Sequence, residues 1–134
     1  MADDYDLALQ KAVIDTLRSD VGVTALVGQR TYDEPPQGVS YPMVQFGRVD
    51  MRPLRTDDNA AARLFFSVEG HSRGKVGRVE ASRLASAIRG ALDEANLSIT
   101  GFSSVFCQYR NQIVDRTADK NHTAIVAFEA LLDG

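Results

Sequence analysis

Arg63-Leu64-Phe65-Phe66-Ser67-Val68-Glu69-Gly70-His71 decides the fold. Leu64, Phe66 and Val68 alternate with Ser67, Glu69 and His71, the period of two that marks a strand with one buried and one wet face. Phe65 breaks the alternation, so a large ring on the polar face needs cover from elsewhere. Ser72-Arg73-Gly74 turns the chain. From about Val76 to Ala95 the period lengthens to that of a helix: Leu84, Ala87, Ile88, Ala91 and Leu92 form one face, and Lys75, Arg78, Ser82, Ser86, Arg89 and Asp93 the other. Glu80 falls inside the apolar arc, where a carboxylate needs a partner. Arg83, His71 and Arg73 are within reach, which makes an ion pair the expected structural role and a subunit contact the functional one.

Upstream, Leu9, Val13 and Leu17 repeat every four residues with Lys11, Asp15 and Arg18 on the other side, a helix from about Asp4 to Ser19 that Asp3 and Asp4 are placed to cap. A turn of helix follows from Val23 to Val27, closed by Gly28. Gln29 to Asp33 reads as a short extended piece, Pro35-Pro36-Gln37-Gly38 as a loop. Tyr41-Pro42 opens a strand through about Val49. Asp50 to Ala62 loses apolar periodicity and reads as an exposed loop or a protruding hairpin tip. Downstream, Leu97 to Tyr109 reads as a strand and Asp115 to Asn121 as a polar turn. In the last strand His122, Ala124, Val126 and Phe128 share one side, with Ile125, Ala127 and Leu131 on the other. Adjacent strands joined by polar turns favour antiparallel pairing. The expected fold is a single α+β domain over residues 1–134: a mixed, mainly antiparallel sheet with two amphipathic helices packed on one face. The opposite face is then part polar and open to a neighbour.

At 134 residues with a net charge of -3, the chain has the size of one domain and no surplus of cations for general nucleic-acid binding. The single cysteine, Cys107, leaves no internal disulfide to form. Met1-Ala2-Asp3-Asp4 is acidic where a signal peptide is basic, and no apolar run reaches membrane-spanning length, so the expectation is work in the cytoplasm or in something assembled there, away from membranes.

Reaction motifs are not found. Gly74-Lys75 lacks the glycine and the Ser/Thr that a phosphate loop needs around it, and one Cys with two distant His is short of a zinc set. No cofactor, metal or catalytic residue is expected. Cys107 sits at an apolar-alternating position, where a small buried hydrophobe is the ordinary role. His71 and His122 read as sheet-surface side chains bonded to neighbours. Four arginines between Arg48 and Arg63 mix with Asp50, Asp57 and Asp58: a solvated loop, or an assembly contact in which charge sets register and partner.

Several stretches together resemble a family. They are Leu26-Val27-Gly28-Gln29-Arg30-Thr31-Tyr32-Asp33, the Pro/Gly loop, Tyr41-Pro42, the strand ending His71-Ser72-Arg73, the Glu80 helix closing at Ala91-Leu92, Arg110 after a late strand, and a last strand entered through His122. In that order they resemble the tail-terminator (tail-completion, or head-to-tail joining) proteins of long-tailed phages and gene transfer agents. One departure is Gly70-His71, where the family pattern has a bulky residue. The resemblance implies a non-enzymatic subunit of a homohexameric ring in the virion, at the head-proximal end of the tail. Such a ring caps the tail-tube protein, offers a surface to a head-side connector or neck protein, and lets DNA pass through its lumen without sequence recognition. The contact residues expected from the charged segments are Asp50, Arg52, Arg55, Asp57 and Asp58, with Glu80, and with Arg110, Arg116, Asp119 and Lys120 around the late turn. Three other readings stand beside it: another connector or neck protein, a small cytoplasmic enzyme using Cys107 with His71 or His122, and a dimeric ligand-binding domain.

Overall fold

The computed structural model describes residues 5–55, 60–74, 77–99, 101–102, 104–118 and 121–133. Their elements are α1 (Tyr5–Ser19), α2 (Val21–Val27), β1 (Thr31–Tyr32), β2 (Met43–Arg55), β3 (Ala60–Arg73), α3 (Gly77–Leu92), β4 (Ala95–Asn96), β5 (Ser104–Ala118) and β6 (Asn121–Asp133). The strands form one sheet in the order β1-β2-β3-β6-β5-β4. β1 runs parallel to β2, and every other pair is antiparallel. This is the expected mixed α+β fold, with the short α2 completing the helical layer.

Leu9, Val13 and Leu17 of α1 and Ala81, Leu84, Ala85, Ile88 and Leu92 of α3 meet Leu64, Phe66, Val68, Val126, Phe128 and Leu132 in one core. Sheet and helices thus share their apolar sides, as the two periods require. An aromatic ladder crosses the strands beneath the helices. Phe46 stacks on Phe66 at 5.8 Å, Phe66 on Phe128 at 5.4 Å, and Tyr109 meets Phe128 edge-on at 6.2 Å. Such contacts add about 0.5–1.5 kcal/mol each beyond burial. Gly70 lies where α3 comes closest to β3: a Cβ there would sit 2.8 Å from Leu84 Cβ. A bulky residue has no room, so this departure from the family pattern is an intimate helix–sheet contact.

The Leu26–Asp33 stretch is a corner. Asp20 caps α2, its Oδ2 accepting from the Val23 N–H at 3.0 Å, and Gly28 closes the helix at φ 60°. Arg30 Nε then donates to Pro42 O at 2.9 Å, and the Val44 N–H donates to Arg30 O at 2.8 Å. Arg18 Nε donates to Thr31 O at 3.0 Å. Two arginines so tie the helical layer and β1 to the start of β2.

Five expected boundaries change. Of the two forms expected for Asp50 to Ala62 the hairpin is the one formed, with Asp50–Arg55 and Ala60–Ala62 in strand: β2 and β3 pair from Asp50↔Phe65 out to Arg55↔Ala60. Asp115–Ala118 is strand as well, paired with β6 to Ala118↔Asn121. Backbone hydrogen bonds hold both hairpins together where the side-chain pattern gives no sign of a strand. α3 ends at Leu92, because Glu94 turns left-handed at φ 57° and the chain enters β4. Leu97–Ile99 is irregular, with the Phe102 N–H donating to Ile99 O at 3.1 Å. The first helix is described from Tyr5, so its capping by Asp3 and Asp4 lies outside the described residues. The two long hairpins close at opposite ends of the sheet, Arg55↔Ala60 near Asp133 and Ala118↔Asn121 near Arg73.

Candidate assembly surface

The face away from the helices is built by alternate residues of the four long strands. β3 presents Arg63, Phe65, Glu69 and His71. Glu129 of β6 stands opposite Phe65, and so does Asp50 of β2. Phe65 is the centre. The Arg52 guanidinium lies 4.9 Å from its ring centroid and that of Arg110 5.8 Å. Here is the cover that its misplaced position demanded.

Charge closes around the ring. Glu129 receives Arg63 at 2.9 Å on one oxygen and Arg110 at 2.7 Å on the other, and Arg52 pairs with Asp50 at 3.1 Å. Glu129 is 19% exposed, while Arg63 and Arg110 are 46% and 55% exposed. Pairs this open contribute about 0–1 kcal/mol to stability. Their effect is geometric: one carboxylate holds two cations from different strands in place. Beside the network lies a hollow of about 390 Å³, lined in part by Arg48, Phe65, Arg110, Asn111, Ile125 and Ala127. Ile113 and Ile125 face each other across β5 and β6 at 59% and 38% exposure. An apolar centre with a charged rim has the make-up of a protein contact.

Asp50, Arg52 and Arg110 therefore come together, which corrects the grouping of Arg110 with the late turn. β5 continues through that region with its register shifted between Tyr109 and Asn111, so Arg110 sits at a bulge in mid-strand, while Arg116 lies opposite His122 near the far end. Arg116 is exposed, and its backbone N–H donates to Asp115 Oδ1 at 2.8 Å. The side chain of Arg55, and Asp57, Asp58, Asp119 and Lys120 altogether, lie outside the described residues. Glu80 is on the helical side. Its partner is the hydroxyl of Ser72, which donates to Oε1 at 2.6 Å, and none of Arg83, His71 or Arg73 forms an ion pair with it. Glu129 was not singled out in the sequence, and Arg63 entered only as the last of the four arginines in the charged segment; Phe65 was the signal that pointed toward both.

His71 meets Glu69 Oε1 through Nε2 at 3.0 Å and Thr123 Oγ1 through Nδ1 at 3.2 Å, a sheet-surface histidine held by neighbours. His122 is not one. It is buried beneath Gly77 at the start of α3, and its Nδ1 has no hydrogen-bond partner among the described residues. Cys107 is fully buried, and desolvation pushes its thiol up from 9.0 to about 12. That suppresses the thiolate a cysteine nucleophile requires.

The model of the tail completion protein gp17 family matches residues 11–133. A solved chain titled as part of the virion of a native gene transfer agent particle superposes with a TM-score of 0.88. It is 25% identical, with 98% of this chain and 99% of that one covered. A second solved chain, 17% identical with a TM-score of 0.62 over 98% and 95% of the two chains, shares the fold. Comparison with curated proteins gives no match.

Proposed function

The chain belongs to the tail completion protein gp17 family, and from that premise we propose that it is the subunit of a homohexameric ring that terminates a phage-type tail. A structural protein of a phage or gene-transfer-agent tail is the level on which family and structural likeness agree. The finer reading is that the ring caps the last ring of tail-tube protein, stops its growth and docks the head-side connector. DNA then passes through the lumen. The chain is not an enzyme in this reading, and it acts in the particle after assembly in the bacterial cytoplasm.

The open sheet face carries the reading. A single-core domain whose helices cover only one side of its sheet keeps an ordered, charge-rimmed surface for another protein. Ring closure needs a heterologous contact, one patch of a subunit against a different patch of the next. The Glu129 network supplies one such patch. The test is to remove the gene from a producing strain and image the particles by electron microscopy. Overlong tails without heads are the expected result. Tails of normal length that merely lack heads would transfer the protein to the connector or neck role.

A further inference from the structure

The solvent side of α3 carries Arg78, Arg83 and Arg89, all exposed. Ion pairs among the described residues join Lys11 to Asp15, Arg52 to Asp50, Arg63 and Arg110 to Glu129, and His71 to Glu69. None reaches these three arginines. Arg89 is fixed all the same, its guanidinium 4.3 Å from the Tyr109 ring centroid. Arg78 and Arg83 flank a shallow hollow with Val79, Ser82 and Ser86. Val79 is 55% exposed there, an apolar spot set between cations.

The complementary chemistry lies elsewhere on the same chain. Asp33 and Glu34 follow β1 at the sheet edge, both exposed and neither in an ion pair among the described residues. Gln45 Nε2 donates to Asp33 O at 3.3 Å, tying the segment to β2. Pro35 and Pro36 come next, and Pro35 restricts the backbone of Glu34 before it, so part of this segment's freedom is already removed. α3 packs over β3, β6 and β5, while this loop leaves from the β1 edge. The two patches therefore belong to different sides of the subunit, as a head-to-tail contact requires. A twofold pairing of α3 faces would instead set arginine against arginine.

We propose that Arg78, Arg83 and Arg89 of one subunit receive Asp33 and Glu34 of the next copy, with Pro36 against Val79. This contact rests on the ring reading and supplies the helical-side part of its lateral interface, in addition to the open-face patch around Glu129. It is sensitive to salt, because its charges lie at the surface.

The test is charge reversal with exchange, read as assembly midpoint by light scattering, with and without tail-tube protein, and checked for folding by circular dichroism. Arg78→Glu with Arg83→Glu should raise the midpoint concentration about a hundredfold, since like charges now face each other. Asp33→Lys with Glu34→Lys should do the same. The chain carrying all four changes should return to within about tenfold of the parent. Folded variants that assemble like the parent, or a four-fold variant that does not recover, overturn the contact and leave the ring standing. A parent chain that never assembles, even on tail-tube protein, overturns the ring and this interface with it.

Discussion

Leu64, Phe66 and Val68 are closed off from water beneath α1 and α3, while Arg63, Phe65 and Glu69, one residue over on the same strand, face outward. One face is an aromatic and aliphatic core in which close packing sets stability. The other is a set of exposed ion pairs around a single ring, where each contact contributes little to folding. A single strand thus serves two purposes, and the difference teaches where to look for each: damage to the covered face should unfold the protein, and damage to the open face should leave it folded and change what it joins.

The largest effect is expected from Phe128→Ala, which empties the ladder between Phe66 and Tyr109. A loss of about 4 kcal/mol is expected in urea unfolding, and a loss below about 1 kcal/mol would show that the ladder does not anchor the covered face. Gly70→Ala comes next. Its new methyl meets Leu84 Cβ, so destabilisation by about 2 kcal/mol is expected, and Leu84→Gly in the same chain, which removes that atom, should recover part of it through the shared space. Full additivity of the two would contradict the close approach.

On the open face the scale drops. Glu129→Gln releases Arg63 and Arg110 and should cost about 0.5 kcal/mol or less in folding, while weakening ring formation measured by sedimentation. Equal assembly would remove the network from the contact surface. Cys107 should show no effect at all until the core opens: at pH 8 the native thiol resists alkylation and reacts only after denaturation. Its pKa sign fixes a second observable. The unfolded thiol loses its proton near 9.0 and the folded one near about 12. Between those values the unfolded state binds fewer protons, so stability falls as pH rises through that window. Rapid alkylation of the folded protein at pH 8 would reopen the cysteine-enzyme reading.

Legibility in the sequence followed the same division. Arg63–His71 and the helix after it were readable because one side of each is buried, and burial writes a period into the chain. Met51–Arg55 and Asn111–Thr117 were not. Much of these segments is exposed on both faces, so no alternation marks them; only backbone pairing makes them strands. The Glu129 network was hidden for another reason. Its members come from β3, β5 and β6, brought together by a sheet order that local pattern does not encode. Phe65, an aromatic residue on the wet side of a strand, was its one local trace. For Glu80 the partner came from Ser72 across a turn, a neutral donor where charge alone suggested a cation.

The central claim is that the open face and the charged surfaces close a ring of identical subunits. Light-scattering mass across a concentration series, repeated with tail-tube protein, tests it most directly. Six copies of the 14.6 kDa chain, alone or on the tube, are the predicted result. A stable dimer at every concentration, unchanged by the tube protein, would contradict it.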